Sequence, residues 1–163
     1  MKKGIAFILS LLLILSTVAA LALSDPDARV LEYINANVYL SRRGYISQLE
    51  SEGYDRGAAA DAIDSLDLDF QFIATEKGRQ YYATGDGFSA KRLYKQLRYE
   101  GFTQVEASIG AVRCKPDWQE QAILRAESWL LSTSKTREEI KQILIDEGFP
   151  EKMAAYAATN ASN

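Results

Sequence analysis

Apolar residues recur along the chain at intervals of three and four positions, with polar and charged residues between them. Leu93 and Leu97 are four residues apart, and Ile140, Ile143 and Leu144 form one stripe on a helical projection. Such spacing places side chains on one face of an α-helix, whereas a half-buried strand would show strict alternation, which is not found here. The pattern therefore predicts an all-helical protein.

Start and stop signals divide this pattern into nine helices. Asp25 followed by Pro26 pairs a capping residue with a proline that is tolerated in the first helical turn. Thr103 precedes Glu106 by three residues, as in a capping box. The predicted helices cover about 26–38, 41–52, 55–66, 70–83, 89–100, 103–113, 118–131, 136–147 and 150–159.

A Glu-Gly-aromatic motif occurs three times with a nearly constant spacing. It stands at 52–54, 100–102 and 147–149, so the glycines are 48 and 47 residues apart. Glycine adopts the left-handed conformation that ends many helices, and in a Schellman motif the next residue packs on the side chain four positions before the glycine. That side chain is a leucine each time (Leu49, Leu97 and Leu144), so the predicted structural motif consists of Gly53 and Tyr54, Gly101 and Phe102, and Gly148 and Phe149.

Further columns keep the same register on both sides of this motif. They are Ser41, Ser89 and Thr136; Ala59, Ala107 and Ala154; Tyr33, Tyr81 and Trp129; and Asp69-Phe70 with Asp117-Trp118. Self-similarity at a fixed period is typical of stacked repeats, which bury faces that a single unit leaves exposed. The predicted fold is a tandem array of three three-helix, helix-turn-helix-like repeat units that follow an N-terminal signal segment. The predicted boundaries are 1–24 for the signal segment, 25–67, 68–115 and 116–159 for the repeats, and 160–163 for the tail.

The first residues have the three regions of a secretory signal. Lys2 and Lys3 form a basic start, residues 4–23 are almost entirely apolar, and Ala20 and Ala22 supply the small residues that a signal peptidase recognises. Cleavage would leave a chain that begins near Asp25, whereas an uncleaved segment is just long enough to span a bilayer. We therefore expect an exported protein, either extracellular or held at the cell surface by residues 4–23.

The histidine and cysteine content and the net charge of the chain argue against several classes of function. The chain of 163 residues contains no histidine and one cysteine, Cys114, which excludes imidazole-based catalysis, His-ligated metal sites and an internal disulfide. The formal net charge is −3, and without Lys2 and Lys3 it is about −5 because 17 basic residues face 22 acidic ones. A nucleic-acid-binding protein normally carries a basic footprint. We expect a protein that is not an enzyme, does not bind nucleic acid and requires no cofactor.

Acidic residues form two kinds of candidate site, a run of aspartates and two pairs of glutamates. An EF-hand loop that begins at Asp67 would need glycine at its sixth position and glutamate at its twelfth, but Phe72 and Gly78 stand there. The run of aspartates at 61–69 is therefore predicted to be a solvated loop with a helix cap. Glu50 with Glu52, and Glu138 with Glu139, could be imagined as acid–base pairs, but surface charges on helices are the commoner case. No metal site and no catalytic residue is predicted.

A candidate binding surface lies at the start of two helices. Arg42 with Arg43, and Lys91 with Arg92, place positive charge in a first helical turn, where it opposes the helix dipole. Such an electrostatic cost can mark a binding surface, and ordinary solubility charge is the alternative. The exposed aromatic candidates beside the Leu93–Leu97 stripe are Tyr94 and Tyr99.

The repeat resembles that of the Ltp-type family of bacterial and phage proteins, also called host cell surface-exposed lipoproteins. The resemblance covers essentially all of the chain after the signal segment. It is carried in repeat 2 by Ser89, Leu93, Gln96, Leu97, Glu100, Gly101, Phe102, Thr103, Ala107 and Asp117-Trp118. The chain lacks the cysteine that would follow the apolar segment of a lipoprotein.

The resemblance implies a superinfection-exclusion protein, which acts outside the cell membrane, binds a protein and hinders an incoming phage from delivering its DNA. The expected partner is thus a phage protein or a component of the cell envelope. The alternatives are a cell-envelope or wall-binding adaptor unrelated to phage, and an intracellular DNA-binding protein if the signal segment is misread.

Overall fold

The computed structural model describes residues 25–162, and α-helix is the only regular secondary structure in this part of the chain, which confirms the predicted all-α class. It forms nine helices and no strand within these residues. The helices are α1 (Pro26–Asn35), α2 (Arg42–Ser51), α3 (Arg56–Ser65), α4 (Phe70–Ala83), α5 (Ala90–Tyr99), α6 (Gln104–Arg113), α7 (Trp118–Ser132), α8 (Arg137–Asp146) and α9 (Glu151–Asn160).

Side-chain caps explain most of the helix starts. A carboxylate that precedes the helix accepts hydrogen bonds from two amides of the first turn at α1, α3, α4 and α7, which satisfies donors that the helix itself leaves unpaired. The predicted capping box of Thr103 and Glu106 is present at α6, and Thr136 and Glu139 form a second one at α8. Pro150 precedes α9 and supplies no such bond.

The predicted end of the first helix was wrong by three residues. The prediction extended it to residue 38, but α1 ends at Asn35 and Asn37 has a φ of 58°. The amide of Val38 donates to the carbonyl of Tyr33 at 2.8 Å, and the amide of Asn37 donates to that of Ile34 at 3.0 Å. These are the two bonds of a Schellman motif. Asparagine tolerates the left-handed conformation and takes the place that glycine usually holds.

Contacts within the described chain define two compact units. The first contains the residues up to Val38 together with Tyr45–Leu68, and the second contains Tyr39–Gly44 together with all residues from Asp69 onward. The core of the first unit is formed by the buried side chains of Val30, Tyr45, Ile46, Leu49, Ala59, Ala62 and Ile63. The division into three repeats stays a prediction.

Two buried regions stabilise the second unit. Around α5, the side chains of Leu93, Leu97 and Phe102 are at most 1% exposed. Around α8, Ile140 and Leu144 pack with Phe149 and with alanines of α7 and α9. Small residues let the helices approach closely in both regions. A Cβ added to Gly110 of α6 would lie 2.7 Å from the carbonyl oxygen of Ala74 in α4, and alanines of α7 and α9 pack around α8.

The predicted signal segment, residues 1–24, lies outside the described residues. Between residues 25 and 162, no helix is both long and apolar enough to cross a membrane.

Candidate interaction surface

The three glycine turns have the same backbone geometry. Gly53, Gly101 and Gly148 have φ values of 101°, 96° and 102°. The amide of the following aromatic residue donates to the carbonyl of the leucine five positions before it, at 3.1, 3.1 and 3.0 Å respectively. The glycine amide donates to the carbonyl three positions before it, at 3.1, 3.1 and 2.9 Å. Each turn is thus the predicted Schellman motif.

The glutamate that precedes each glycine is bonded by a basic side chain from an earlier helix, and at two of the three turns also by a tyrosine hydroxyl. At Glu100, the Tyr81 hydroxyl and Gln96 Nε2 both donate to carboxylate oxygen Oε1, the latter at 3.0 Å. Lys77 Nζ lies 3.5 Å from the other oxygen, Oε2. Burial raises the pKa of Glu100, and the neighbouring Lys77 opposes that shift. These contacts tie the Glu100 side chain to α4 and α5, and we call this set of side chains the Glu100 cluster.

Glu52 has an equivalent set of partners in the first unit. The Tyr33 hydroxyl and Gln48 Nε2 donate to its carboxylate, and Arg29 Nε donates to it at 2.8 Å. The Arg29 guanidinium also lies 4.6 Å from the centre of the Tyr33 ring. Arg29 Nη1 also donates to the Glu32 carboxylate at 2.7 Å. The hydrogen bonds to Glu52 and Glu32 raise the pKa of Arg29 further above its ordinary value, so its guanidinium stays charged.

At Glu147 the basic residue remains, but Trp129 stands where the other two clusters have a tyrosine hydroxyl. Arg125 Nε donates to the Glu147 carboxylate at 2.8 Å and lies over the ring of Trp129, 5.0 Å from its centre. The Trp129 indole nitrogen is buried and has no hydrogen-bond partner among the described residues. The basic positions 29, 77 and 125 were not singled out in the sequence, although they follow the same spacing of 48 residues.

Two of the three glycine turns are covered by the N-terminus of another helix. In the first junction, the Ser41 hydroxyl donates to the carbonyl of Glu100 at 2.7 Å and accepts from the amide of Gly44 at 3.1 Å. Arg43 Nη2 donates to the carbonyl of Tyr99 at 3.1 Å. One serine thus caps the start of α2 and satisfies the end of α5 at once.

The second junction repeats this chemistry. The Ser89 hydroxyl donates to the carbonyl of Glu147 and accepts from the amide of Arg92 at 3.1 Å. Lys91 Nζ donates to the carbonyl of Asp146 at 2.8 Å. A positive charge that opposes the dipole of its own helix therefore lies at the carbonyl end of another helix, where it is favourable.

The structure separates the six residues of the predicted binding surface. Arg43 and Tyr99 meet in the first junction, and Lys91 belongs to the second. Arg92 and Lys91 line a cavity of about 360 Å³ with Lys95, Ile143, Asp146 and Glu147. Tyr94 is half-buried, whereas Tyr99 is 82% exposed, and Arg42 is exposed. Arg92 donates to the carbonyl of Gly87 at 2.7 Å, and its pKa is lowered mainly by burial.

The carboxylates weighed for acid–base chemistry all have local partners. In the first unit, Glu50 pairs with Arg56 and Glu52 with Arg29. In α8, Glu138 pairs with Lys141, and Glu139 accepts a hydrogen bond from Thr136. Hydrogen bonds from the amide and hydroxyl of Thr136 lower the pKa of Glu139. Across residues 25–162, no group of three or more acidic or cysteine side chains is arranged to hold a metal ion.

Cys114 lies at the end of α6 and is 7% exposed. Its sulfur donates to the carbonyl of Gly110 at 2.8 Å, and burial raises the pKa of the thiol. A thiol that stays protonated is a poor nucleophile. The side chain fills space beside α4, where a Cβ added to Gly78 would lie 3.3 Å from the sulfur.

Compared with protein-family models, curated proteins and solved structures, the chain matches none of them.

Proposed function

We propose that the chain is an exported protein-binding module of the cell surface that hinders the entry of phage DNA. The observation that carries the proposal is the sequence pattern of repeat 2, from Ser89 to Trp118, which resembles the repeat of the Ltp-type superinfection-exclusion proteins. The signal-like segment before Asp25 supports export to the side of the membrane where an incoming phage acts.

The contacts of the described residues support binding rather than catalysis. The residues of the resembling pattern act in the architecture: Ser89 caps α5, Glu100 is held by Lys77 and Tyr81, and Phe102 is buried. A rigid helical scaffold leaves the outward side chains of its helices available to a partner.

A plating assay tests the proposal directly. A host that expresses the chain with its own signal segment should show reduced plaque formation by a susceptible phage, with normal adsorption and reduced delivery of labelled phage DNA. The matched control carries the same signal segment on an unrelated helical protein. Full plaque formation across a broad phage panel would count against the proposal.

Cell fractionation with the intact mass of the protein separates the two forms of export. A full-length chain in the membrane fraction would favour a local block of DNA entry. A chain clipped near Asp25, released into the medium and retained on purified cell wall would favour the wall-adaptor alternative instead.

A further inference from the structure

The two junctions define one interaction chemistry. The donor side is a helix N-terminus with serine as its N-cap and Arg or Lys two residues later, as in Ser41 with Arg43 and Ser89 with Lys91. The acceptor side is the glycine turn, whose last two carbonyls receive these donors. The fit is close, because a Cβ added to Gly101 would lie 2.6 Å from Arg43 Nε. The same addition at Gly148 would lie 2.6 Å from Lys91 Cβ.

The glycine turn of the first compact unit presents the same acceptor without this cover. We call residues Ser51–Tyr54 the open turn, because the carbonyls of Ser51 and Glu52 correspond to the acceptors of the two junctions. Gly53 is exposed, and a Cβ added to it would meet no atom of the described chain within 4 Å. Its Schellman bonds match those of the covered turns. The backbone therefore already has the shape that a donor helix fits in the two junctions.

The helix N-terminus of α8 is unsuited to be the donor for this turn. Thr136 is its N-cap, but Glu138 stands two residues later, where the junctions have Arg43 and Lys91. The Thr136 hydroxyl donates its hydrogen bond to the Glu139 carboxylate at 2.9 Å, so it is not directed toward a partner. Two carboxylates facing a helix C-terminus and its carbonyls would be repelled. Terminal units of stacked helical proteins commonly differ from internal ones in this protective way.

We infer that the open turn is a docking surface for a helix N-terminus of a partner protein with Ser or Thr as its N-cap and Lys or Arg two residues later. This occupant is specified by the two junctions, in which a turn of the same geometry receives a serine hydroxyl and a cation. The attraction between backbone carbonyls and a positive charge favours the same occupant. Glu138 and Glu139 prevent a second copy of the chain from taking its place. The inference rests on the proposed binding function for its biological setting, but its chemistry is tested without phage.

The probe is the chain itself with the donor chemistry restored at α8. The double variant Glu138→Lys with Glu139→Ala gives Thr136 a lysine two residues later and no competing carboxylate. We expect a roughly twofold or greater rise in weight-average mass with concentration in sedimentation equilibrium, because a head-to-tail contact that does not close adds copies in series. The matched control, Glu138→Ala with Glu139→Ala, removes the same two charges without adding a donor and should sediment like the wild-type protein.

The acceptor is tested by adding Gly53→Asn to the associating variant. Asparagine tolerates positive φ better than other side chains, and its bulk would occupy the space of the donor. This addition should return the mass to that of the wild-type protein, whereas Gly85→Asn, at another open glycine with a φ of 79°, should leave the association intact. Far-UV circular dichroism verifies that each variant is folded.

Two results would overturn the inference: a folded Glu138→Lys, Glu139→Ala variant with the mass of the wild-type protein, or an association that Gly53→Asn does not reduce. Either result combined with normal phage exclusion would leave the proposed function standing. Association through the open turn in a protein that does not affect plaque formation would instead retain the docking surface and remove the phage function.

Discussion

The turns at Gly53 and Gly101 have the same backbone and different surroundings. Both are Schellman motifs with a φ near 100°, and both follow a glutamate tied to a tyrosine. Gly101 lies under Ser41 and Arg43, whereas no described atom comes within 4 Å of a Cβ added to Gly53. The difference shows that the turn is a local structure, while its cover depends on residues that lie almost sixty positions away in the chain.

The largest test of this comparison removes the aromatic residue that follows each glycine. Phe102 is 1% exposed, whereas Tyr54 is half-buried. We expect Phe102→Ala to lower the free energy of unfolding by about 3–5 kcal/mol, because it creates a cavity in a dense core. Tyr54→Ala should cost roughly 1–2 kcal/mol, since less apolar area returns to water. Urea unfolding followed by far-UV circular dichroism measures both, and equal losses would contradict the comparison.

The second test adds a methyl group at each glycine. Gly53→Ala and Gly101→Ala both force a side chain into positive φ, at about 1–2 kcal/mol each. Gly101→Ala should lose additional stability, because its Cβ would lie 2.6 Å from Arg43 Nε and 2.9 Å from Ser41 Oγ. Thermal unfolding of the two variants should rank Gly101→Ala as the less stable. The opposite ranking would mean that the cover of the first junction moves aside freely.

The third test removes the hydroxyl that acts on both sides of a junction. Ser41→Ala loses an N-cap and also the donor to the Glu100 carbonyl, so we expect a loss of about 1–2 kcal/mol. Thr136→Ala loses bonds only within the first turn of α8, with a smaller expected cost of about 0.5–1 kcal/mol. Chemical unfolding of the pair gives the difference. A larger loss for Thr136→Ala would show that the bond across the junction adds nothing.

Local features of this molecule could be predicted from its sequence because their causes lie within a few residues. The glycine turns and the capping boxes follow from glycine and threonine at defined positions, and eight of the nine predicted helices end within one residue of the helix in the structure. The end of α1 was missed because Asn37 takes the left-handed conformation that the sequence pattern assigns to glycine.

The partners of the side chains could not be predicted in the same way. Arg43 and Lys91 were singled out because their charge opposes their own helix, but the carbonyls that they satisfy belong to helices about 55 residues later. A contact of that separation depends on how helices pack, which the pattern of one helix does not specify. The spacing of 48 residues between positions 29, 77 and 125 was a usable signal for the glutamate clusters.

The smallest expected effect concerns the pH dependence of two glutamates with opposite environments. Burial raises the folded-state pKa of Glu100 above its unfolded value, so its protonated form favours folding. That contribution is complete below the unfolded pKa of about 4.3 and is lost as the pH rises through the folded pKa. Hydrogen bonds from Thr136 lower the pKa of Glu139, so its contribution is present above the unfolded pKa and is lost as the pH falls through the folded pKa.

Glutamine variants separate the contributions of these two glutamates to the pH dependence of stability. Relative to the wild-type protein, Glu100→Gln should gain stability as the pH rises from about 4 toward neutrality, because the variant has no buried carboxylate to ionise. Relative to the wild-type protein, Glu139→Gln should lose stability as the pH rises through the folded pKa of Glu139 toward the unfolded value of about 4.3, and its deficit should stay constant above that value, because the anion that Thr136 stabilises is absent. Urea midpoints measured across both pH ranges give the two differences in stability from the wild-type protein. Parallel curves for Glu100→Gln and the wild-type protein would show that Lys77 and Tyr81 fully offset the burial of the Glu100 carboxylate, and the covered turn would then be electrostatically equivalent to an exposed one.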